Sequence, residues 1–547
     1  MDKQPKEPVK TSIADTIDNE AGSLSELNCV FSTQQHGEKI VVTTIMSPNG
    51  KETEITADFD DAMKLGVQAM DIEPTPEESR RLVRKIDLCM FPLMSLVYAI
   101  QFMDKTTIGT AAIMGLITDL KMTGDDYSWA GSAFYFGYLG GLFVLPPLLQ
   151  KTQYFMKFLC SIIMLWGLIL ALHSAPSVNY ASFIVLRCLL GFFESSVTPA
   201  FTIITSQYWK KEEQFLRICI WFGFNGLGAM WGSSMAYGLY IRAGTYSISA
   251  WKIVFLSTGC ITIFAGVLMM LHLPDSPLKA WFLTKHEKLV LTQRIRGNQQ
   301  GFGNHHIKKH QIREALIDPR TWLYFLYCIA ANIPNGALTN FQSILFKSDF
   351  GYTTKKTLLV STGIAAVEWG GLPLLGFASY YCSKKQVKYL ESRLIWSIIS
   401  LLITFMGMCM LAFANDSKNA RLAGLALNYI SPLAFICVLA NISANTLGYT
   451  KKWTVSSTTL IGYAAANLAG PHTFISSQAP HYTGAKVALV VCYGACIVII
   501  AALYVLNANE NKRRDKLALE NPPQSDMKNI EFADLTDFEN PYFRYTL

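Results

Sequence analysis

The chain has 547 residues, of which 51% are hydrophobic and only 16% charged, with a formal net charge of +7. Soluble domains carry about a quarter charged residues, so a string of soluble globules is excluded; the apolar residues gather instead into a dozen long runs between about Leu88 and Leu506, each near the roughly 20 residues that cross a bilayer core ~30 Å thick. The first 79 residues hold 16 acidic and 6 basic side chains, a net of −10, and residues 517–547 a net of −4, which leaves +21 on the intervening chain; basicity set beside membrane spans reports orientation and anionic lipid, not nucleic acid.

Nine of the twelve cysteines, Cys160, Cys188, Cys219, Cys260, Cys328, Cys409, Cys437, Cys492 and Cys496, lie inside the apolar runs without C-x-x-C spacing. They read as small hydrophobes, not as a disulfide framework or metal site. A soluble enzyme, a nucleic-acid module and a secreted disulfide scaffold are thereby all poor readings, and no cofactor is expected.

Residues 1–39 are polar and unpatterned, which predicts disorder in an acidic tail, 1–79. Lys39–Thr56 alternates around Ser47-Pro48-Asn49-Gly50 and predicts a small hairpin turning at Asn-Gly, although a lone hairpin is marginally stable. Thr75-Pro76-Glu77-Glu78 combines a capping hydroxyl, a proline at the first helical position and a glutamate three residues after the cap. A helix starts there and runs into the first span, with Arg80, Arg81, Arg84 and Lys85 facing lipid headgroups. No cleavable signal precedes that span, which acts as its own insertion signal.

The spans fall at 88–108, 127–149, 155–174, 180–205, 218–241 and 251–273, then at 322–345, 357–381, 393–413, 422–447, 456–476 and 485–507. The predicted fold is all-α and polytopic: a six-helix bundle at 80–273, a basic loop at 274–321, a second six-helix bundle at 322–507 and a tail at 508–547. Even-numbered connections hold Lys210-Lys211, the loop cations from Lys279 to Arg320, Lys384-Lys385, Lys451-Lys452 and, after span 12, Lys512-Arg513-Arg514. The opposite connections hold fewer cations. The positive-inside rule therefore assigns both termini to the cytoplasm, with the sequon Asn415-Asp416-Ser417 outside.

Twelve spans arranged as 6 + 6 suggest a major-facilitator transporter, whose bundles rock around a midplane site. The few intramembrane charges carry the chemistry. Asp104-Lys105 lies in span 1, Arg187 and Glu194 in span 4 and Glu368 in span 8; an ionisable group at such depth costs at least ~2.5 kcal/mol and is kept for a partner or a function. Arg187, Gly191 and Glu194 recur at i, i+4 and i+7 on one face, which can receive span 1 closely. Arg187 is expected to face Asp104 or Glu194, with one carboxyl protonated in one access state, because burial disfavours the charged form and an approaching cation restores it. A locked structural ion pair is the competing reading.

Lys105 is the expected counter-charge for an anionic substrate, the alternative being a lysine snorkelling to the headgroups. Glu368, beside Trp369 and Gly370-Gly371, reads as a packing or pairing residue at a bundle interface. Amides suited to a small polar anion are Asn225 in span 5, Asn332 and Asn335 in span 7, and Asn441 and Asn445 on one face of span 10; interhelical hydrogen bonding is the other use of such amides. Gly223, Gly226, Gly228 and Gly232 read as close-packing positions in span 5.

Asp104-Lys105-Thr106-Thr107-Ile108-Gly109-Thr110-Ala111 resembles the span 1 signature D-R-x-N-I-G-N-A of the fungal anion:cation symporters, a branch of the major facilitator superfamily, from which the lysine and threonines depart. Cys89-Met90-Phe91-Pro92-Leu93-Met94, the block from Trp221 to Gly228, Arg296 with Asn298–Asn304, and Phe543-Arg544-Tyr545-Thr546-Leu547 are similar to the allantoate permease subfamily. The resemblance covers nearly all residues after Ser47. An acidic-basic pair in span 1 and an arginine followed seven residues later by a glutamate in span 4 also resemble bacterial sugar-acid and animal organic-anion symporters of the superfamily, which implies proton roles for Asp104 and Glu194, substrate attraction by Lys105 and gating or pKa tuning by Arg187. The partners the subfamily resemblance implies are a small organic anion, allantoate- or ureidosuccinate-like, with protons and membrane lipid, acting on a monomer in the plasma membrane. Relatives for nicotinate, pantothenate, cysteine or sulfonates, and a non-transporting nutrient sensor of the same fold, remain alternatives. Residues 149–157 lack the Gly and Asp of the superfamily's usual motif after span 2 and keep only Lys151 and Lys157, so its usual gate ion pair is not expected.

Overall fold

Span 1 begins at the cap its sequence predicts. The Glu78 N–H donates to Thr75 Oγ1 (3.2 Å), the Thr75 N–H donates to the Glu78 carboxylate (3.1 Å), and Pro76 occupies the first turn, where its missing N–H costs nothing. In the computed structural model, which describes residues 34–36, 39–46, 52–56, 74–152, 154–296, 308–520 and 536–547, this helix runs Pro76–Ala111. It then loosens into a π turn, Ala112–Leu116, where Gly115 has a φ of 122°, a left-handed value that a side chain would strain.

Span 2 is Asp126–Lys151, span 3 Phe155–Leu172, span 5 Lys211–Ile241 and span 6 Ala250–His272. The second half follows as span 7, Pro319–Ser348; span 8, Thr354–Lys384; span 9, Arg393–Phe413; span 11, Tyr449–Ala469; and span 12, Thr483–Glu520. Spans 4 and 10 are each broken in two. Tyr180–Glu194 gives way to Val197–Tyr208 at Ser195-Ser196, and Lys418–Asn428 to Pro432–Asn445 at Tyr429-Ile430-Ser431. These are the fourth spans of the two halves, and paired interruptions at matching places mark the binding region in repeat-built transporters. Among the described residues nine helices are long and apolar enough to cross a membrane by composition. Spans 5, 7 and 11 are not among them; they carry Asn225, Asn332, Asn335, Asn340 and Asn467, and span 11 is also rich in Ser and Thr.

The twelve-span body is all-α. In the N-terminal tail, Gln34–His36, Lys39–Met46 and Glu52–Thr56 form an antiparallel sheet in that order, with Met46 opposite Glu52 and Val41 opposite Thr56. The hairpin is thus present. Gln34–His36, part of the stretch 1–39 read as disordered, forms a third strand beside it, which corrects that reading there; the Asn-Gly turn and residues 1–33 and 37–38 lie outside the described residues.

Gly191 packs against span 2, where a Cβ would collide with the Phe134 carbonyl. The expectation that span 1 occupies that face is corrected. Span 2 wins because Gly137 presents an equally bare backbone to Cys188 of span 4, so the two helices meet with small residues on both sides. On the face where span 1 begins, Asp87 binds Arg217 (2.8 Å) and accepts from Trp209 Nε1 (2.7 Å), tying spans 1 and 5 together. After span 2, the start of span 3 is capped by Asp275, whose carboxylate accepts from the Met156 and Lys157 amides (3.1 and 3.2 Å).

The central loop forms two helices that serve different halves. Lys285–Arg296 lies against the first half, with Lys85 paired to Glu287 (2.7 Å) and Arg294 bonded to Ser79 (2.7 Å). Lys309–Ile317 lies against the second, where Gln311 accepts from the Thr450 and Lys451 amides (3.0 and 3.2 Å) and Glu314 pairs with Lys451 (2.8 Å).

Residues 536–547 fold back across the same face of the second half. Asp537 pairs with Lys451 (2.7 Å), the Tyr545 ring lies 3.8 Å from the Arg320 guanidinium, and its hydroxyl donates to Asp537 (2.7 Å). The Thr546 carbonyl accepts from Asn441 and Asn445 (3.0 and 2.8 Å), and its N–H donates to Asn445 Oδ1 (2.7 Å). Each net hydrogen bond contributes about 1 kcal/mol, and a buried amide left unpaired costs about 1 to 3 kcal/mol. Asn445→Ala is therefore expected to lower the melting temperature of the purified protein, and Tyr545→Ala to lower it further. Variants that melt as the wild type does would show the strap to be only superficially attached.

Candidate functional site

A cavity of about 160 Å3 lies between the halves, and both broken spans reach it, through Thr198 after the first break and Tyr429, Ser431 and Pro432 at the second. Lys105 lines it from span 1 and Asn225 from span 5; Asn332, Asn335 and Gln342 line it from span 7 and Glu368 from span 8. On the face opposite the start of span 1 the halves are bolted together. Tyr127 OH donates to the Asn340 carbonyl (2.8 Å), Ser132 Oγ to the Leu468 carbonyl (2.7 Å) and Ser476 Oγ to Asp125 (2.7 Å). The cavity is shut on that side.

The charges expected in the first half do gather, but their pairing differs. Lys105 Nζ is 2.9 Å from Glu194 Oε1, and Gln101 Nε2 donates to the same oxygen (3.0 Å). Glu194 and Asp104 are both 0% exposed. Trp166 Nε1 donates to Asp104 Oδ2 (2.7 Å), while among the described residues Asp104 Oδ1 and Glu194 Oε2 have no hydrogen-bond partner. Arg187 makes no ion pair within 4 Å of either carboxylate among the described residues. Its Nε donates to the Ala130 carbonyl (3.4 Å), its guanidinium lies 5.2 Å from the Phe134 ring, and Nη1 has no partner. The expected Arg187 contact is therefore corrected to Lys105–Glu194. Gly191 brings span 2 close against span 4, and the ring and carbonyl of span 2 take the guanidinium instead.

The amides divide as well. Asn225 of span 5 and Glu368 of span 8 both line the cavity, next to the close contact of the two spans at Gly226. Asn335 Nδ2 donates to Asn467 Oδ1 (2.8 Å) and Asn332 Nδ2 to the Cys328 carbonyl (2.8 Å), and both still line the cavity. Asn441 and Asn445, expected as substrate ligands, do not line it. They hold Thr546, with Asn441 Oδ1 also accepting from Tyr324 OH (2.6 Å). Sequence reasoning passed over the cavity's tyrosines, Tyr98, Tyr138, Tyr327, Tyr429 and Tyr463, because tyrosine in an apolar run reads as hydrophobic. Gln101 was findable, since it lies one turn before Lys105.

Two six-helix halves enclosing a polar cavity within the membrane define a multi-pass membrane transporter. The chain belongs to the Major Facilitator Superfamily, whose profile matches residues 94–471. It is 56% identical over 541 residues to the allantoate permease of Saccharomyces cerevisiae, covering 98% of this chain and 100% of that one. It is 32% identical to the thiamine pathway transporter THI73 of the same yeast, covering 97% and 98%. Among solved structures, the proton:xylose symporter XylE bound to 6-bromo-6-deoxy-D-glucose is similar with a TM-score of 0.57 at 12% identity, over 78% of this chain and 96% of that one. That likeness bears on the fold alone.

Proposed function

We propose that the protein imports a small organic anion, allantoate or a close relative, across the plasma membrane together with protons, by alternating access with both termini cytoplasmic. The observation that carries the reading is the Lys105–Glu194 pair at the wall of the central cavity, and the name of the 56% identical permease supports the substrate class. An incoming carboxylate competes with Glu194 for Lys105. Once Lys105 turns to the substrate, Glu194 is a buried carboxylate without its cation, a state costly enough that it takes up a proton. Anion and proton then cross together, and Glu194 gives the proton back when Lys105 returns to it. Asp104, held by Trp166 and with one oxygen unpartnered, serves as the neighbouring proton acceptor. Arg187 biases the exchange by its charge and is a modulator, not a direct ligand of either carboxylate.

Tracer allantoate uptake in a transporter-deficient strain tests the reading. Uptake is expected to fall as external pH rises toward neutrality and above, and to collapse with a protonophore, because each cycle consumes an external proton. Uptake that survives the protonophore and disappears when sodium is removed would overturn the proton coupling.

A further inference from the structure

Glu368 is 2% exposed in the wall of the same cavity that Lys105 lines, but it comes from the other half of the molecule. Among the described residues no Lys, Arg or His nitrogen lies within 4 Å of its carboxyl, and the Asn225 amide lines the same cavity from span 5. If Glu368 only joined spans 5 and 8, a neutral amide would do so without the cost of burying a carboxyl. A second observation points into the cavity. Ser361 lies seven residues earlier, on the same face of span 8; it is 8% exposed, lines the cavity, and its Oγ has no hydrogen-bond partner. Span 8 therefore presents a carboxyl and a free hydroxyl to the cavity. Glu368 is held in place from behind, since a Cβ at Gly226 of span 5 would come within 2.5 Å of the Ala365 carbonyl and 3.0 Å of Glu368 Cβ.

We propose that Glu368, assisted by Ser361, is the specificity pole of the cavity: it accepts hydrogen bonds from the uncharged, N–H-bearing end of an anion whose carboxylate is held by Lys105. A carboxyl keeps an acceptor oxygen in either protonation state, and a serine hydroxyl both donates and accepts, so together they match an amide or ureide. A second anionic group at that end would be buried with no Lys, Arg or His nitrogen within 4 Å of the neighbouring carboxyl among the described residues, which disfavours dicarboxylates. This rests on the transport reading for the role of Lys105, but it concerns which anion is chosen.

The test is calorimetric binding to the purified full chain with two probes of nearly equal shape, N-carbamoylglycine and 4-methylpentanoate, and with succinate as the dicarboxylate. The wild type is expected to prefer N-carbamoylglycine over 4-methylpentanoate by about 10- to 100-fold, as a charged or strong hydrogen bond allows, and to bind succinate poorly. Glu368→Ala is expected to reduce that preference to within about threefold, and Ser361→Ala to reduce it partly. Glu368→Gln keeps an acceptor oxygen, so it is expected to retain much of the preference and to bind succinate as poorly as the wild type does. Three results overturn the proposal: a wild type without preference; a Glu368→Ala protein that weakens both monocarboxylates equally; or collapse of both Glu368 variants, which assigns the residue to the span contact. Failure of the transport reading would appear separately, as absent tracer uptake by a wild type that still discriminates between the probes.

Discussion

Lys105→Ala abolishes concentrative uptake in the expected outcome, and Lys105→Arg keeps part of it. Two separate losses combine. Glu194 is fully buried and loses its 2.9 Å cation, retaining only the Gln101 donor at 3.0 Å; breaking a buried pair on one side costs roughly 3 to 5 kcal/mol. The substrate also loses a charged hydrogen bond of roughly 1.5 to 3 kcal/mol, about 10- to 150-fold in affinity. Surface abundance with counterflow in vesicles distinguishes them when the double variant Lys105→Ala/Glu194→Gln is included. Removing both charges restores abundance, and because Glu194→Gln alone is expected to keep counterflow, counterflow that stays absent in the double variant makes Lys105 the anion's counter-charge. Counterflow that returns in the double variant makes Lys105 a neutraliser of Glu194, and near-normal transport by Lys105→Ala alone makes it a lysine without a role in the cycle.

Glu194→Gln separates coupling from binding. The glutamine mimics the protonated carboxyl and keeps an oxygen for Lys105 and Gln101, so counterflow in vesicles is expected to persist while accumulation against a gradient is lost. Each elementary charge moved through ~100 mV is worth about 2.3 kcal/mol, and that drive disappears when no proton is bound and released. A purely structural pair gives a different result. Lys105 would then be left as an unpaired cation within the bundle, and abundance would fall together with counterflow. Joint loss of the two sinks the coupling role.

The span positions were legible because a bilayer imposes one length on every crossing, and the Thr75 cap because its side-chain bonds are local. The all-α fold and its superfamily followed from those features with the span 1 signature. What escaped depended on contacts remote in sequence. The i, i+7 spacing placed Arg187 and Glu194 on one face, but it could not say that Gly137 and Gly191 would draw span 2 into that face and leave Glu194 to Lys105. Asn441 and Asn445 had the spacing of a ligand pair, yet their partner is Thr546, about a hundred residues away. The breaks in spans 4 and 10 did leave local signals, in Ser195-Ser196 before Pro199 and in Ser431-Pro432. Proline takes the first turn of a helix easily and its interior poorly, so a reading attentive to both halves at once would have found them.

The way the central loop is divided has a consequence for how such a molecule can be inherited. Each six-span half carries its own covering helix, one fastened through Glu287 and Arg294, the other through Gln311 and Glu314, and the chain passes from one to the other through residues 297–307 alone. A genetic exchange with its joint in that short stretch moves a whole half with its cover attached and leaves the bonds through Glu287, Arg294, Gln311 and Glu314 uncut. Modularity of this kind lets the half bearing Lys105 and Glu194 and the half bearing Glu368 be shuffled and selected as separate pieces.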